Sequence, residues 1–210
     1  MARRPAKPDK SETQSSPDAN VVRARIVAAA FDLAGTDGWA RADLSRIASA
    51  AGVSLAEVHA QFPAKAMMID AFMAGIDQAV LAAGPADADD DARDRLFEVL
   101  MRRFDALTPH KADVAAVFRD CCDPTVGLIG LPCFLRSMAW MLEAAGLPSG
   151  GISGAARAAG LGALYANAVR VWLRDDTPDM AKTMAALDRG LGCADGIVSF
   201  FCRRDVKEEA

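Results

Sequence analysis

Aromatic side chains are scarce in this chain: nine Phe, three Trp and one Tyr among 210 residues. The alternating β-branched and aromatic runs that announce strands are missing too, and no internal repeat is visible. Apolar residues still make up 52% of the chain, much of it Ala. That composition favours helix over sheet. Histidine is rarer still, and His59 and His110 stand in unrelated places. Neither has a Cys or Asp at the spacing of a nucleophile and its base. No Gly-rich phosphate loop, His-Glu-x-x-His pattern or nucleophile elbow occurs. The expectation is a protein that is not an enzyme and needs no cofactor.

Cys121, Cys122, Cys133, Cys193 and Cys202 are odd in number and lack the paired spacing of a zinc site. They read as reduced thiols in a helical core, with no metal. Long hydrophobic runs are wanting as well. The apolar stretches at 126–140 and 154–173 are broken by Arg136, and by Arg157, Asn167 and Arg170, so neither spans a membrane. Residues 1–20 contain no apolar run of the signal-peptide kind. A cytoplasmic protein without stable membrane insertion is expected. Net positive charge is also lacking, at −4, which argues against a protein that coats nucleic acid through bulk charge. Residues 1–65 are nevertheless mildly basic and the remainder acidic.

What the chain does have is helix punctuation. Residues 1–20 read as a disordered polar arm, with Arg3, Arg4, Lys7 and Lys10 either along a phosphate backbone or simply solubilising. A first helix is expected over 21–35, with Val22, Ile26, Ala29, Ala30 and Leu33 inside and Trp39 packing back over it. Between Asp43 and Lys65, Leu44, Ile47, Ala48 and Ala51 form one apolar helical face. Asp43 caps its start and Gly52 ends it in the left-handed conformation. Ser54 and Glu57 then make a capping box that starts another helix almost at once. A helix, a tight Gly turn and a second short helix make a helix-turn-helix, whose second helix enters the DNA major groove.

At these residues the chain resembles the tetracycline-repressor (TetR) family of bacterial regulators. The shared features are Arg25-Ile26, Ala29-Ala30, Gly38-Trp39, Ile47-Ala48, Ala51-Gly52-Val53-Ser54 and Phe62-Pro63-Ala64-Lys65. The resemblance implies an all-α fold: a three-helix DNA-binding head at 21–65, a helical regulatory and dimerisation body at 66–203, and a polar tail at 204–210. It implies a homodimer on double-stranded, palindromic operator DNA, released by a small hydrophobic effector. Lys65 matches the family's phosphate-binding lysine, and His59 stands where the family has a phosphate-touching tyrosine. The DNA-facing candidates are Arg41, Arg46, Ser54, Leu55, His59, Gln61 and Lys65. The reading helix holds no Lys or Arg, which is unusual because Arg and amide side chains read bases most directly. Glu57 has three readings: turned back into the capping box, aimed at a cytosine, or a sign that DNA binding is lost.

In the body, Pro63 is placed at the start of a helix over 64–83. Thr108-Pro109, Asp123-Pro124 and Thr177-Pro178 each pair a capping residue with a first-turn proline. Helices are expected near 92–107, 109–121, 124–145, 152–174 and 178–201, the last two forming the dimer. Phe104, Phe118, Phe134, Met138, Tyr165 and Trp172 are candidates for an apolar ligand pocket. Tyr165, Val171 to Asp176, Pro178-Asp179-Met180, Thr183 and Leu187-Asp188-Arg189 also resemble the C-terminal part of coenzyme-Q biosynthesis accessory proteins. Those share the TetR-like fold, bind lipid and do not read DNA. That resemblance implies the rival reading, a lipid- or isoprenoid-quinone-binding accessory protein.

Overall fold

The computed structural model describes residues 17–119 and 124–205, with only the backbone described for 17, 124–129 and 194–205. Among the described residues every element is helical: α1 (Pro17–Asp37), α2 (Leu44–Ala51), α3 (Leu55–Gln61), α4 (Ala66–Ala82), α5 (Ala92–Leu107), α6 (Lys111–Arg119), α7 (Pro124–Ala144), α8 (Gly151–Trp172) and α9 (Ala181–Asp205). The all-α fold class follows from the residues as expected.

The head is α1 to α3. Ile26, Ala30, Ala34, Ile47, Ala48, Ala51 and Val58 are buried between its helices, and Trp39 closes the cluster against Phe31 with ring centroids 5.9 Å apart. Helix α1 begins earlier than the sequence implies. Pro17 takes the first helical position, where its missing N–H costs nothing, and Asp18 lies in the first turn near the positive end of the helix dipole. The cationic arm residues Arg3, Arg4, Lys7 and Lys10 lie outside the described residues, and the helix reaching Asp205 takes in the first two residues of the expected tail.

The body is a bundle in which α4 packs on α5 and α7, α7 on α8, and α8 on α9, while α6 lies against α1 of the head. Its core holds Leu96, Val99, Leu100, Phe104, Met138, Met141, Leu161, Ala168, Trp172 and Leu187. Gly190 lets α9 approach α8 closely: a Cβ there would meet the Leu164 side chain at 2.8 Å.

Three expected helix starts are corrected. Helix α4 begins at Ala66, so Pro63 lies in the turn before it. Thr108 does not cap a new helix; its hydroxyl donates back to the Phe104 carbonyl (2.8 Å), and a single 3-10 turn, Thr108–His110, joins α5 to α6. Helix α9 starts at Ala181 rather than Pro178, because Met180 takes a positive φ of 52°. Asp123 lies outside the described residues. Cys133 is half-buried and Cys193 exposed, so neither sits in the core as expected; both are free thiols. No helix among the described residues is long and apolar enough to cross a membrane.

Candidate nucleic-acid interface

The two short helices meet as their caps dictate. The Asp43 carboxylate accepts from the Arg46 N–H at 2.9 Å and starts α2. Gly52 ends it at φ 63°, ψ 40°, and the Val53 N–H returns to the Ala48 carbonyl at 3.0 Å. A side chain at Gly52 would be strained in that left-handed conformation. Ser54 then opens α3. Its N–H and hydroxyl both donate to the Glu57 carboxylate (2.8 and 2.7 Å), and the Glu57 N–H donates to the Ser54 hydroxyl (3.2 Å). The Ser54 N–H and hydroxyl, in that order, hold the Glu57 carboxyl below its usual range. Glu57 is therefore turned back onto its own helix, which is the first of its three readings.

Val58 and Phe62 are buried, so the opposite side of α3 faces outward with Leu55, Ala56, His59 and Ala60 exposed. Gln61 is half-buried, and its carbonyl accepts from Arg23 at 2.9 Å. The cations of the head lie around this helix rather than on it. Arg41 is exposed. Arg46 is half-exposed and pairs with Asp37, whose carboxylate raises the Arg46 pKa above its ordinary value. Lys65 donates to the Trp39 carbonyl, with its ammonium 4.5 Å from the Trp39 ring centroid. Arg23 stacks on Phe62 at 4.2 Å, and Arg25 donates to the carbonyls of Ala51 and Gly52. Several of these cations thus hold the helix-turn-helix together.

Below the head lies an apolar cavity of about 400 Å³. Its wall draws on Phe31 of α1, Ala66, Ile69, Phe72 and Met73 of α4, Leu107, Val114, Val117 and Phe118, Leu131 and Phe134 of α7, and Tyr165 and Val169 of α8; Asp70, Cys133 and Arg170 are its few polar side chains. The six pocket candidates divide. Phe118, Phe134 and Tyr165 line the cavity, whereas Phe104, Met138 and Trp172 are fully buried core beneath it. Phe31 stacks on Phe72 with centroids 3.9 Å apart, so the cavity wall is also the joint between head and body.

Residues 26–72 match the sequence model of the bacterial regulatory proteins of the tetR family. The chain carries the TetR-family head. Its whole architecture is similar to a TetR transcriptional regulator from Nitrosomonas europaea (TM-score 0.67, 24% identity, 83% of this chain and 98% of that one). It is also similar to one from Rhodococcus sp. RHA1 (0.62, 20%, 83% and 96%) and one from Streptomyces coelicolor (0.55, 18%, 87% and 89%). At these identities the likeness is one of fold. No curated protein matches.

Two polar devices of the body escape a reading of the sequence. The first is a buried ion pair: Arg103 of α5, 0% exposed, donates to Asp77 of α4, which also accepts from the Ser137 hydroxyl of α7 at 2.7 Å. Tyr165 lies against the same guanidinium, its ring centroid 5.6 Å away, and burial pushes its phenol up to about 12. One signal was available: Arg103 falls in the apolar stripe Leu96, Val99, Leu100, Phe104, Leu107, where a cation needs a partner.

The second is Asp175, 2% exposed in the turn between α8 and α9. It accepts from the Thr177 hydroxyl (2.6 Å) and N–H (3.2 Å), and from the Thr183 hydroxyl and N–H (both 2.8 Å). The Thr177 hydroxyl, then those of Thr183, outweigh burial and hold this carboxyl far below its ordinary range. Because the folded-state pKa is depressed, its stabilising effect is complete above the ordinary aspartate value near 4 and fades as pH falls below it. Asp175→Asn is expected to lower Tm clearly at pH 7, and the gap to the parent should narrow between about pH 4 and pH 2. A constant gap across that window would remove the linkage.

Proposed function

We propose that this chain is a one-component transcriptional regulator that binds palindromic operator DNA as a homodimer and releases it when a small apolar molecule fills the body cavity. The match of the head to the TetR-family model and the likeness of fold support transcription regulation; repressor action, operator and effector are the finer reading. One observation supports it most. The cavity wall includes Phe31 of α1 and Ala66 of α4, the residue next to Lys65, so a ligand there touches the helices that aim the head. A dimer would set two reading helices about 34–36 Å apart, in successive major grooves. Ligand binding that favours another α1–α4 arrangement lowers operator affinity by the coupling free energy, about 1–3 kcal/mol in typical cases.

The test is a mobility shift on the DNA upstream of the chain's own gene, repeated over a salt series with Lys65→Ala. Because Lys65 also anchors Trp39, a loss of affinity alone is ambiguous. The informative quantity is the slope of log K against log salt, which should flatten by about one unit for one lost phosphate contact. An unchanged slope would take Lys65 out of the contact set. No shift with any DNA, together with extraction of quinone-like lipid from membranes, would decide for the accessory-protein reading.

A further inference from the structure

We infer that the reading helix recognises thymine through its 5-methyl groups, so that each half-site centres on A·T pairs whose thymine methyls meet Leu55, Ala56 and Ala60. The inference rests on the DNA-binding reading and goes beyond it by naming what is read. It follows from what α3 has left to offer. Ser54 and Glu57 are consumed by the capping box, Val58 and Phe62 are buried in the head, and Gln61 is half-buried at the flank. The arc of α3 opposite Val58 is centred on Ala56 and Ala60, with His59 beside it and Leu55, half exposed, beyond His59.

In the major groove, guanine offers two acceptors and cytosine one donor, whereas thymine adds a methyl that apolar side chains contact. A surface of two methyls and an isobutyl group has no hydrogen bond to give to any base edge and leaves the polar groups of G·C and A·T unpaired alike, so the thymine methyl is what tips the balance. Against a thymine methyl the same surface is complementary. His59 supplies the one hydrogen-bonding side chain on that arc, enough to fix register at one base or phosphate.

The probe is DNA chosen by repeated selection of the full-length protein on a random-sequence duplex pool, then resynthesised with deoxyuridine for thymidine at one position at a time. Uracil keeps every hydrogen bond of thymine and lacks only the methyl. Loss of one contacted methyl should weaken binding about fourfold, and symmetric replacement in both half-sites about 15-fold, from the transfer free energy of one buried carbon. The slope of log K against log salt should not change, since no phosphate contact is touched. Leu55→Ala, at an exposed position, should abolish the uracil effect at one position and leave the others. Sites enriched in G·C, or A·T sites indifferent to uracil at every position, would overturn the inference while DNA binding stands. A selection that enriches no sequence at all would overturn the DNA-binding reading beneath it.

Discussion

Replacing Arg103 by methionine should destabilise the folded chain by about 3–5 kcal/mol, the cost of stripping one partner from a buried ion pair. The magnitude comes from what remains. Asp77 would keep a carboxylate in the core between α4, α5 and α7 with only the Ser137 hydroxyl to satisfy it. For a chain of this length that corresponds to a fall of about 6–20 °C in Tm, compared at one fixed protein concentration because self-association would make Tm concentration-dependent. The double variant Asp77→Leu/Arg103→Met should recover most of the loss, since an apolar pair of similar volume removes the stranded charge. A single variant that loses less than about 1 kcal/mol, or a double variant no better than the single, would show that the pair does not organise this core. On the proposed effector reading the position would matter for function as well, because Tyr165, against that guanidinium, is part of the cavity wall.

The contrast between what sequence reveals and what it hides is physical. The head's turns were legible because each is set within five residues: Asp43 with Arg46, Ala48 with Gly52 and Val53, Ser54 with Glu57. The same local rule misled at Thr108 and Thr177. Thr108 has the dipeptide of a helix start, but the preceding helix runs on to it and the hydroxyl bonds to Phe104 behind. Thr177 does cap, accepting from the Ala181 N–H at 3.1 Å, but with its hydroxyl donated to Asp175 it acts from four residues upstream, and Pro178 falls in the loop. The cavity was only half legible. Aromatic and sulfur side chains recur at helical spacing on both walls and core, and which ones face the space depends on how α1, α4, α7 and α8 cross. Phe118 and Phe134 on one side of that divide, Phe104 and Trp172 on the other, are indistinguishable by type.

Placing two arginines on the outer face of α8, Ala159→Arg with Ala163→Arg, should leave the protomer folded and abolish the dimer. Ile152, Ala156, Ala159, Gly160, Ala163 and Asn167 recur at three- and four-residue spacing and are all exposed, Ile152 by 92%, while Ala158, Leu161, Tyr165, Ala168 and Trp172 turn inward. A stripe of alanine and glycine is poorly suited to solubility and well suited to helix-on-helix contact, because small side chains permit interaxial distances at the short end of the usual 8–10 Å. Helix α9 also exposes small residues, Ala181, Ala185 and Gly192. In the proposed dimer, two such helices from each protomer would make a four-helix bundle on a twofold axis, which is the symmetry a palindromic operator requires. In that geometry the four introduced guanidinium groups face their own symmetry copies, and like charges so juxtaposed cost several kcal/mol. Operator affinity should fall at least about 100-fold, together with a change from dimer to monomer in sedimentation at micromolar concentration. Gln78→Arg, an exposed position on α4, controls for added positive charge and should bind DNA at least as well as the parent. If the α8 variant sediments as a dimer with parent affinity, the twofold axis lies elsewhere on the body, and the spacing of the two reading helices has to be drawn from another face.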